Sequence, residues 1–129
     1  MKKIFVASTL LCLLTFALVS CAIGGNSDTG NTDNTVGMDS RNFIPGSITI
    51  NKGENITLEN QEATVHIISN GSWQGDIPDS QKEPGAPVVN NVTMSSANQT
   101  LVIGPFNTAG TFHYYCMVHD GMSLTVIVH

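Results

Sequence analysis

From about Val36 onwards the chain consists of short segments in which apolar and polar residues alternate, separated by Gly, Pro, Asn and Ser. Alternation with a period of two residues is typical of β-strands that are buried on one face. No stretch of this region has the 3.6-residue period of an amphipathic helix. The pattern therefore predicts an all-β sandwich or barrel, and the length of 129 residues allows one such domain.

The first two clear strands are separated by a short turn. Ser47–Ile50 and residues 55–59 both alternate, and the Asn, Lys and Gly at residues 51–53 have turn chemistry, so the pattern predicts a β-hairpin. Five further strands are predicted downstream, around His66 and over residues 88–94, 99–103, 110–116 and 122–128.

Residues 70–87 form a polar, Pro-containing stretch that is long for a connection without structure. Two explanations are open: a functional excursion, or a strand whose alternation is too weak to recognise. Trp73 lies in this stretch, and we expect it to pack over the sandwich rather than to contact a ligand.

The N-terminal residues have the features of an export signal. Lys2 and Lys3 precede an apolar run that is too short for a lasting membrane span, so residues 1–20 are predicted to be a signal peptide. The run ends in Leu-Val-Ser-Cys, which resembles the lipobox of bacterial lipoproteins and predicts lipidation of Cys21. The alternative is an ordinary cleavage site followed by a stray thiol.

The proposed lipidation sets the expected domain organisation and location. Residues 21–37 are rich in Gly, Asn, Asp, Ser and Thr, which predicts a flexible tether, and residues 38–129 form the expected domain. The protein is then exported and held by its lipid at the cell membrane, on the periplasmic or outer face.

Cysteine usage and charge narrow the possible functions. With Cys12 removed and Cys21 lipidated, Cys116 has no partner for a disulfide, and a lone exported Cys favours metal ligation. Loss of Lys2 and Lys3 leaves three basic residues against ten acidic ones, a formal charge of −7. Nucleic acid is therefore excluded as an expected partner.

A set of soft donors lies near the C-terminus. Cys116, His119 and Met122 are spaced at i, i+3 and i+6, and the Asp-Gly pair at residues 120–121 allows the chain to turn back. His66, in a β-branched run upstream, can supply a second imidazole. A Cys and two His with a weak axial Met form the electron-transfer site of blue-copper proteins, so the prediction is one mononuclear copper that alternates between Cu(I) and Cu(II).

The other histidines are not expected to join this site. His113 points to the face of its strand opposite Cys116, and His129 is the terminal residue. Taken singly, each predicted ligand also has a structural explanation, since buried Cys and Met are common and a lone His is usually satisfied by a polar neighbour. Their combination at this spacing favours the metal site.

These residues resemble those of the cupredoxins, the small blue-copper family that includes plastocyanin, azurin and amicyanin, and the short ligand loop is most similar to that of amicyanin. The resemblance covers residues 38–129 and is carried by four motifs: Asn42-Phe43-Ile44-Pro45, Lys52-Gly53-Glu54, Val65-His66 and residues 110–122. It implies a Greek-key β-sandwich of about seven to eight strands. It also implies that His66, Cys116 and His119 are the equatorial ligands and Met122 the axial ligand.

The chain departs from the family pattern at two positions. Many members have a small polar residue after the strand His and another after the Cys, and a side-chain hydrogen bond between them joins the two ligand loops. Here the positions hold Ile67 and Met117, so that bond cannot form. Because hydrogen bonding around the Cys sulfur tunes a blue-copper site, we expect the reduction potential to differ.

The resemblance implies a monomeric one-electron carrier between exported or membrane-bound redox partners. Electrons would pass through His119, beside Met117 and Val118, during weak and brief docking. Four protein ligands leave no position for a substrate, which argues against an enzyme. Two alternatives stay open: a lipoprotein that buffers or delivers copper, which the absence of Met-rich or His-rich segments in the tether does not favour, and an accessory module of a larger oxidase complex.

Overall fold

The structure is a computed structural model in which residues 33–129 are described. The predicted signal peptide, Cys21 and most of the predicted tether lie outside these residues. The described part of the chain contains eleven strands and no helix: β1 (Thr35–Met38), β2 (Phe43–Ile44), β3 (Ser47–Ile50), β4 (Ile56–Asn60), β5 (His66–Asn70), β6 (Ser72–Gln74), β7 (Ile77–Asp79), β8 (Val92–Met94), β9 (Thr100–Ile103), β10 (Gly110–Cys116) and β11 (Ser123–Val128). Among residues 33–129 no helix is long and apolar enough to cross a membrane.

The strands form two main sheets and a separate hairpin. One sheet has the order β2-β1-β4-β9, the other has the order β3-β11-β10-β5-β8, and β6 pairs with β7. Two pairings are parallel, β1 with β4 and β3 with β11, and the remaining ones are antiparallel. The predicted all-β sandwich is confirmed. The strands that the sequence pattern does not predict are β1, β2, β6 and β7, each of only two to four residues.

The core lies between the two sheets and follows the alternation of the sequence. In β4 and β11 every second residue is buried, as a strand with one solvent-facing side requires. Phe106 fills the centre, with its ring centroid 5.8 Å from that of Phe112 and 6.2 Å from that of Tyr114. The Tyr114 hydroxyl donates to the carbonyl of Pro87, so the core also anchors the end of the 70–87 segment.

The predicted hairpin of β3 and β4 is wrong. Both strands exist, but β3 pairs with β11 in one sheet and β4 pairs with β1 and β9 in the other. Two backbone N–H groups of the turn form hydrogen bonds with distant segments and not across a hairpin. Lys52 N–H donates to the His129 carbonyl, and Gly53 N–H donates to the Phe106 carbonyl. Alternation defines which face of a strand is buried, but it does not define which strand lies beside it.

The 70–87 segment contains the β6–β7 hairpin, which the sequence pattern does not reveal because every residue of β7 is exposed and no alternation marks it. Gly71 starts this excursion with a φ of +120°. A Cβ atom at this position would lie 2.0 Å from the backbone oxygen of Asp79. Only glycine therefore allows the chain to cross at this point.

The folded part begins earlier than the expected boundary at residue 38. β1 starts at Thr35 and pairs in parallel with β4 through four residues, Thr35 to Met38. Val36 and Met38 are fully buried, so the end of the segment assigned to the tether belongs to the core.

Candidate metal centre

The predicted ligands come from two adjacent strands. β5 begins at His66 and β10 ends at Cys116, and the two strands are antiparallel with Cys116 opposite Ile68. In an antiparallel pair the start of one strand lies beside the end of the other. The sheet therefore brings residues that are far apart in the sequence to one edge of the sandwich.

Three side chains converge at this edge. The ligand atoms of His66, Cys116 and His119 all lie within 4.8 Å of one another. The Cys116 Sγ atom is 3.3 Å from His119 Nδ1, and the two imidazole centroids are 4.9 Å apart. His66 and Cys116 are fully buried, whereas His119 is half-buried at the surface. This is the only group of three or more such donors in the described part of the chain.

The environment of His66 fits a metal ion. Neither ring nitrogen makes a well-formed hydrogen bond to a described residue, although both are buried, and only the backbone of Asp39 is near enough to interact with the ring. Burial lowers the pKa of His66, and the neighbouring His119 lowers it further, against a weaker opposite effect of Asp39. A neutral imidazole keeps a lone pair available for coordination. With a thiol and a second imidazole in reach, the donor set suits copper.

The ligand loop turns back after Cys116. Cys116 N–H donates to the Met122 carbonyl at 3.0 Å, and Met122 N–H donates to the His119 carbonyl at 3.1 Å. Gly121, with a φ of +77°, has the left-handed backbone that this turn requires. Met122 is buried directly after the turn. The loop thus returns the fourth predicted ligand to the interior beside Cys116.

The missing side-chain link between the two ligand segments is replaced by a backbone bond. Met117 N–H donates to the Ile67 carbonyl at 2.8 Å, which continues the pairing of β10 with β5 beyond Cys116. The Met117 sulfur also lies 3.6 Å from the Ser69 hydroxyl. The apolar residues at positions 67 and 117 therefore do not leave the two segments unconnected.

Trp73 has a role that the sequence does not indicate. It packs edge to face on Tyr115, as expected for a residue covering the sandwich, with ring centroids 6.0 Å apart. Its indole N–H also donates to the backbone carbonyl of Cys116 at 2.9 Å. The expectation that Trp73 does not contact a ligand residue is therefore wrong, although the contact is with the backbone carbonyl of Cys116 and not with its sulfur. No local motif predicts this contact, because 43 residues separate the two partners.

Exposed apolar residues lie directly beside the ligands in both ligand segments. Met117 and Val118, between Cys116 and His119, and Val65, directly before His66, are between 41% and 49% exposed. The sequence predicts the first two as neighbours of His119, and Val65 extends the patch to the other ligand segment. The prediction that His113 is not a ligand also agrees with the geometry. His113 lies outside the cluster, and its Nδ1 atom is 2.5 Å from a carboxylate oxygen of Glu83.

Comparison with known proteins identifies a family that the chain matches. Residues 30–129 match the family model described as copper binding proteins, plastocyanin/azurin family. No curated protein sequence matches the chain.

Solved structures of amicyanin share the fold. Amicyanin from Paracoccus versutus (Thiobacillus versutus) is 25% identical, with a TM-score of 0.55 over 74% of this chain and 79% of that one. The reduced state of an amicyanin mutant is 20% identical, with a TM-score of 0.56 over 74% of this chain and 80% of that one. At the lower of these identities the likeness concerns the fold alone.

Proposed function

The chain belongs to the plastocyanin/azurin family of copper-binding proteins, and from this premise we propose that it carries single electrons between exported or membrane-bound redox partners. It is a cupredoxin whose cofactor is copper, and His66, Cys116, His119 and Met122 form its type 1 site. Copper supplies the one-electron chemistry, because thiolate and thioether stabilise Cu(I) while imidazole accepts both oxidation states.

The observation that carries the proposal is the buried convergence of one thiol and two imidazoles within 4.8 Å. His66 and Cys116 are held by adjacent strands of a packed sheet, so their donor atoms cannot move far when the charge of the site changes. A small change in geometry keeps the reorganisation on electron transfer small. With Met122 as the fourth donor no position remains for a substrate, which supports a carrier rather than an enzyme.

His119 is the proposed exit point for the electron. It is the one ligand of the converging three that is not fully buried, and the exposed apolar residues Val65, Met117 and Val118 flank the two ligand segments. A few exposed apolar side chains beside one half-buried metal ligand suit weak and brief docking to a redox protein. We propose that the protein acts as a monomer and that this patch meets both its electron donor and its electron acceptor.

The proposed location rests on the N-terminal sequence. Cleavage before Cys21 and lipidation of that residue would anchor the domain to the membrane, and a segment with the Gly-, Asn- and Ser-rich composition that follows Cys21 would let it reorient. Expression of the full chain in a bacterial host tests this. The protein should fractionate with membranes and carry a lipid mass on its first residue, whereas Cys21→Ala should be released or remain uncleaved. A wild-type chain found without lipid would overturn the anchor and leave the copper site untouched.

Electron transfer is tested by cycling the purified copper protein. Reduction and reoxidation in the presence of a Cu(I)-specific chelator should return the full visible absorbance over many cycles. A delivery protein would instead lose its copper to the chelator in the reduced state. Val118→Asp should slow electron exchange with a redox partner and leave the absorption spectrum unchanged, since the change lies in the patch and not among the ligands. Loss of copper during a single cycle would exclude the carrier function.

A further inference from the structure

The turn of the ligand loop leaves the carbonyl of Cys116 without its strand partner. β10 and β11 are antiparallel with Tyr115 opposite Ser123, so Cys116 and Met122 are the next pair and would exchange two backbone bonds. Only one of them is made, from Cys116 N–H to the Met122 carbonyl. The reciprocal donor, Met122 N–H, turns to the His119 carbonyl instead, because the loop must bring His119 and Met122 back towards Cys116.

The other neighbouring strand cannot replace this bond. Met117 N–H donates to the Ile67 carbonyl, so residues 117 and 67 are a hydrogen-bonded pair between β10 and β5. In an antiparallel ladder such pairs alternate with pairs whose backbone groups point away from each other, and Cys116 and Ile68 are of this second kind. The Cys116 carbonyl therefore points towards β11, where the backbone donor is missing.

Trp73 supplies the missing donor from a third segment. Its indole N–H lies 2.9 Å from the Cys116 carbonyl, and its own backbone N–H donates to the Ser123 hydroxyl at 3.0 Å. The ring is further held against Tyr115. Trp73 is thus held through its backbone, its ring and its indole N–H group, all by the two strands that flank the ligand loop.

We propose that Trp73 is a positioning residue for the copper site, which fixes the peptide group of Cys116 and so sets the orientation and electrostatic environment of the thiolate. This inference rests on the copper carrier function proposed above. It also gives the β6–β7 excursion a purpose, since β6 is the element that presents Trp73 to the loop. Removing a residue that hydrogen-bonds to a metal ligand commonly changes the metal affinity by about 10- to 100-fold.

The direction of the electrostatic effect follows from the geometry. The reduced site carries one more unit of negative charge than the oxidised site, and the positive end of the indole N–H dipole points at the peptide of the thiolate ligand. Trp73 therefore stabilises the reduced form. Removing the N–H should lower the reduction potential, shift the thiolate-to-copper absorption band and speed copper release by about tenfold or more.

The chain has a single Trp, which permits an unusually narrow test. Growth with β-(3-benzothienyl)alanine replaces the indole N–H of Trp73 by sulfur and leaves the ring size nearly unchanged. Trp73→Phe is the encoded counterpart. In the metal-free and the Cu(I) wild-type protein, the one indole N–H signal in the NMR spectrum should exchange slowly with solvent, which tests the hydrogen bond without relying on redox activity.

Ser123→Ala is the matched control. It removes the acceptor of the Trp73 backbone N–H and loosens the excursion, but it leaves the indole N–H and the Cys116 carbonyl in place. The proposal expects a clearly larger change of potential and absorption band in the benzothienyl protein than in Ser123→Ala. Equal changes in both proteins would show that Trp73 only holds the excursion in place, and would overturn the positioning role.

The outcomes also separate this inference from the proposed function. If the benzothienyl protein and Trp73→Phe keep the wild-type potential, band and copper release rate, the positioning role is refuted while the copper carrier stands. If the wild-type indole N–H exchanges as fast as that of an exposed tryptophan, the hydrogen bond is refuted in the same way. If the wild-type protein itself fails to form a blue copper site, the proposed function fails first.

Discussion

At the scale of single residues, His66 shows why the cluster fits a metal. A buried polar group without a hydrogen bond destabilises a folded protein by about 1 to 3 kcal/mol, and at His66 only the backbone of Asp39 is near enough to relieve this for one of the two ring nitrogens. Coordination to a metal ion would satisfy one ring nitrogen of His66, and the same ion would also bind the neighbouring thiol of Cys116. The four ligands could be predicted from residue type and spacing because three of them lie within seven residues. Trp73 could not, because its contact depends on how distant segments pack.

Met122 offers a test at this scale. Met122→Leu should leave the protein able to bind copper, because the three strong ligands are unchanged, and should raise the reduction potential, since an apolar side chain in place of a polarisable sulfur disfavours the more highly charged Cu(II) state. Voltammetry of the two copper proteins measures the shift. A variant that binds no copper, or one with an unchanged potential, would show that Met122 does not act as the weak axial ligand.

At the scale of elements, strand existence could be predicted and strand pairing could not. The predicted Gly110–Cys116 strand and the two strands around residues 47–59 exist, because a one-sided burial leaves a period of two in the sequence. Pairing depends on which strands meet in space, so β3 and β4 belong to different sheets although they follow each other directly. β7 left no trace in the alternation because none of its residues is buried.

The crossing at Gly71 makes a prediction about the β6–β7 hairpin. Gly71→Ala should destabilise the protein by about 1 to 3 kcal/mol, because alanine is strained at a φ of +120° and its Cβ would overlap the Asp79 backbone. Gly46→Ala is the control, since its Cβ would lie 3.8 Å from the nearest atom and its φ is not in the left-handed region. Urea unfolding of both variants measures the difference. Equal unfolding free energies would mean that the hairpin is not held at this crossing.

At the scale of the whole molecule, metal binding and folding are coupled. The ligands belong to two strands of the five-stranded sheet and to the loop that leads into a third, so an unfolded chain cannot assemble the site. A metal that binds only the folded state stabilises it by RT ln(1 + [L]/Kd), about 2.7 kcal/mol at a free concentration about one hundred times Kd. Because the domain is small, its core alone gives modest stability, and copper should contribute a visible share.

Thermal unfolding measures this coupling. The copper protein should unfold roughly 10 °C or more above the metal-free protein, since 1 kcal/mol shifts the Tm of a domain of this size by about 4 to 8 °C. In Cys116→Ser the difference between copper-treated and untreated protein should largely disappear. Identical melting of wild-type protein with and without copper would mean that the ion binds no site formed by folding.

The central claim is that His66, Cys116, His119 and Met122 hold one copper ion through a copper–thiolate bond. A titration of the metal-free protein with Cu(II), followed by visible absorption, tests it most directly. The account predicts an intense thiolate-to-copper charge-transfer band that saturates at one equivalent and is lost in Cys116→Ser. A Cys116→Ser protein that keeps the band, or a wild-type protein that retains zinc and rejects copper, would contradict it.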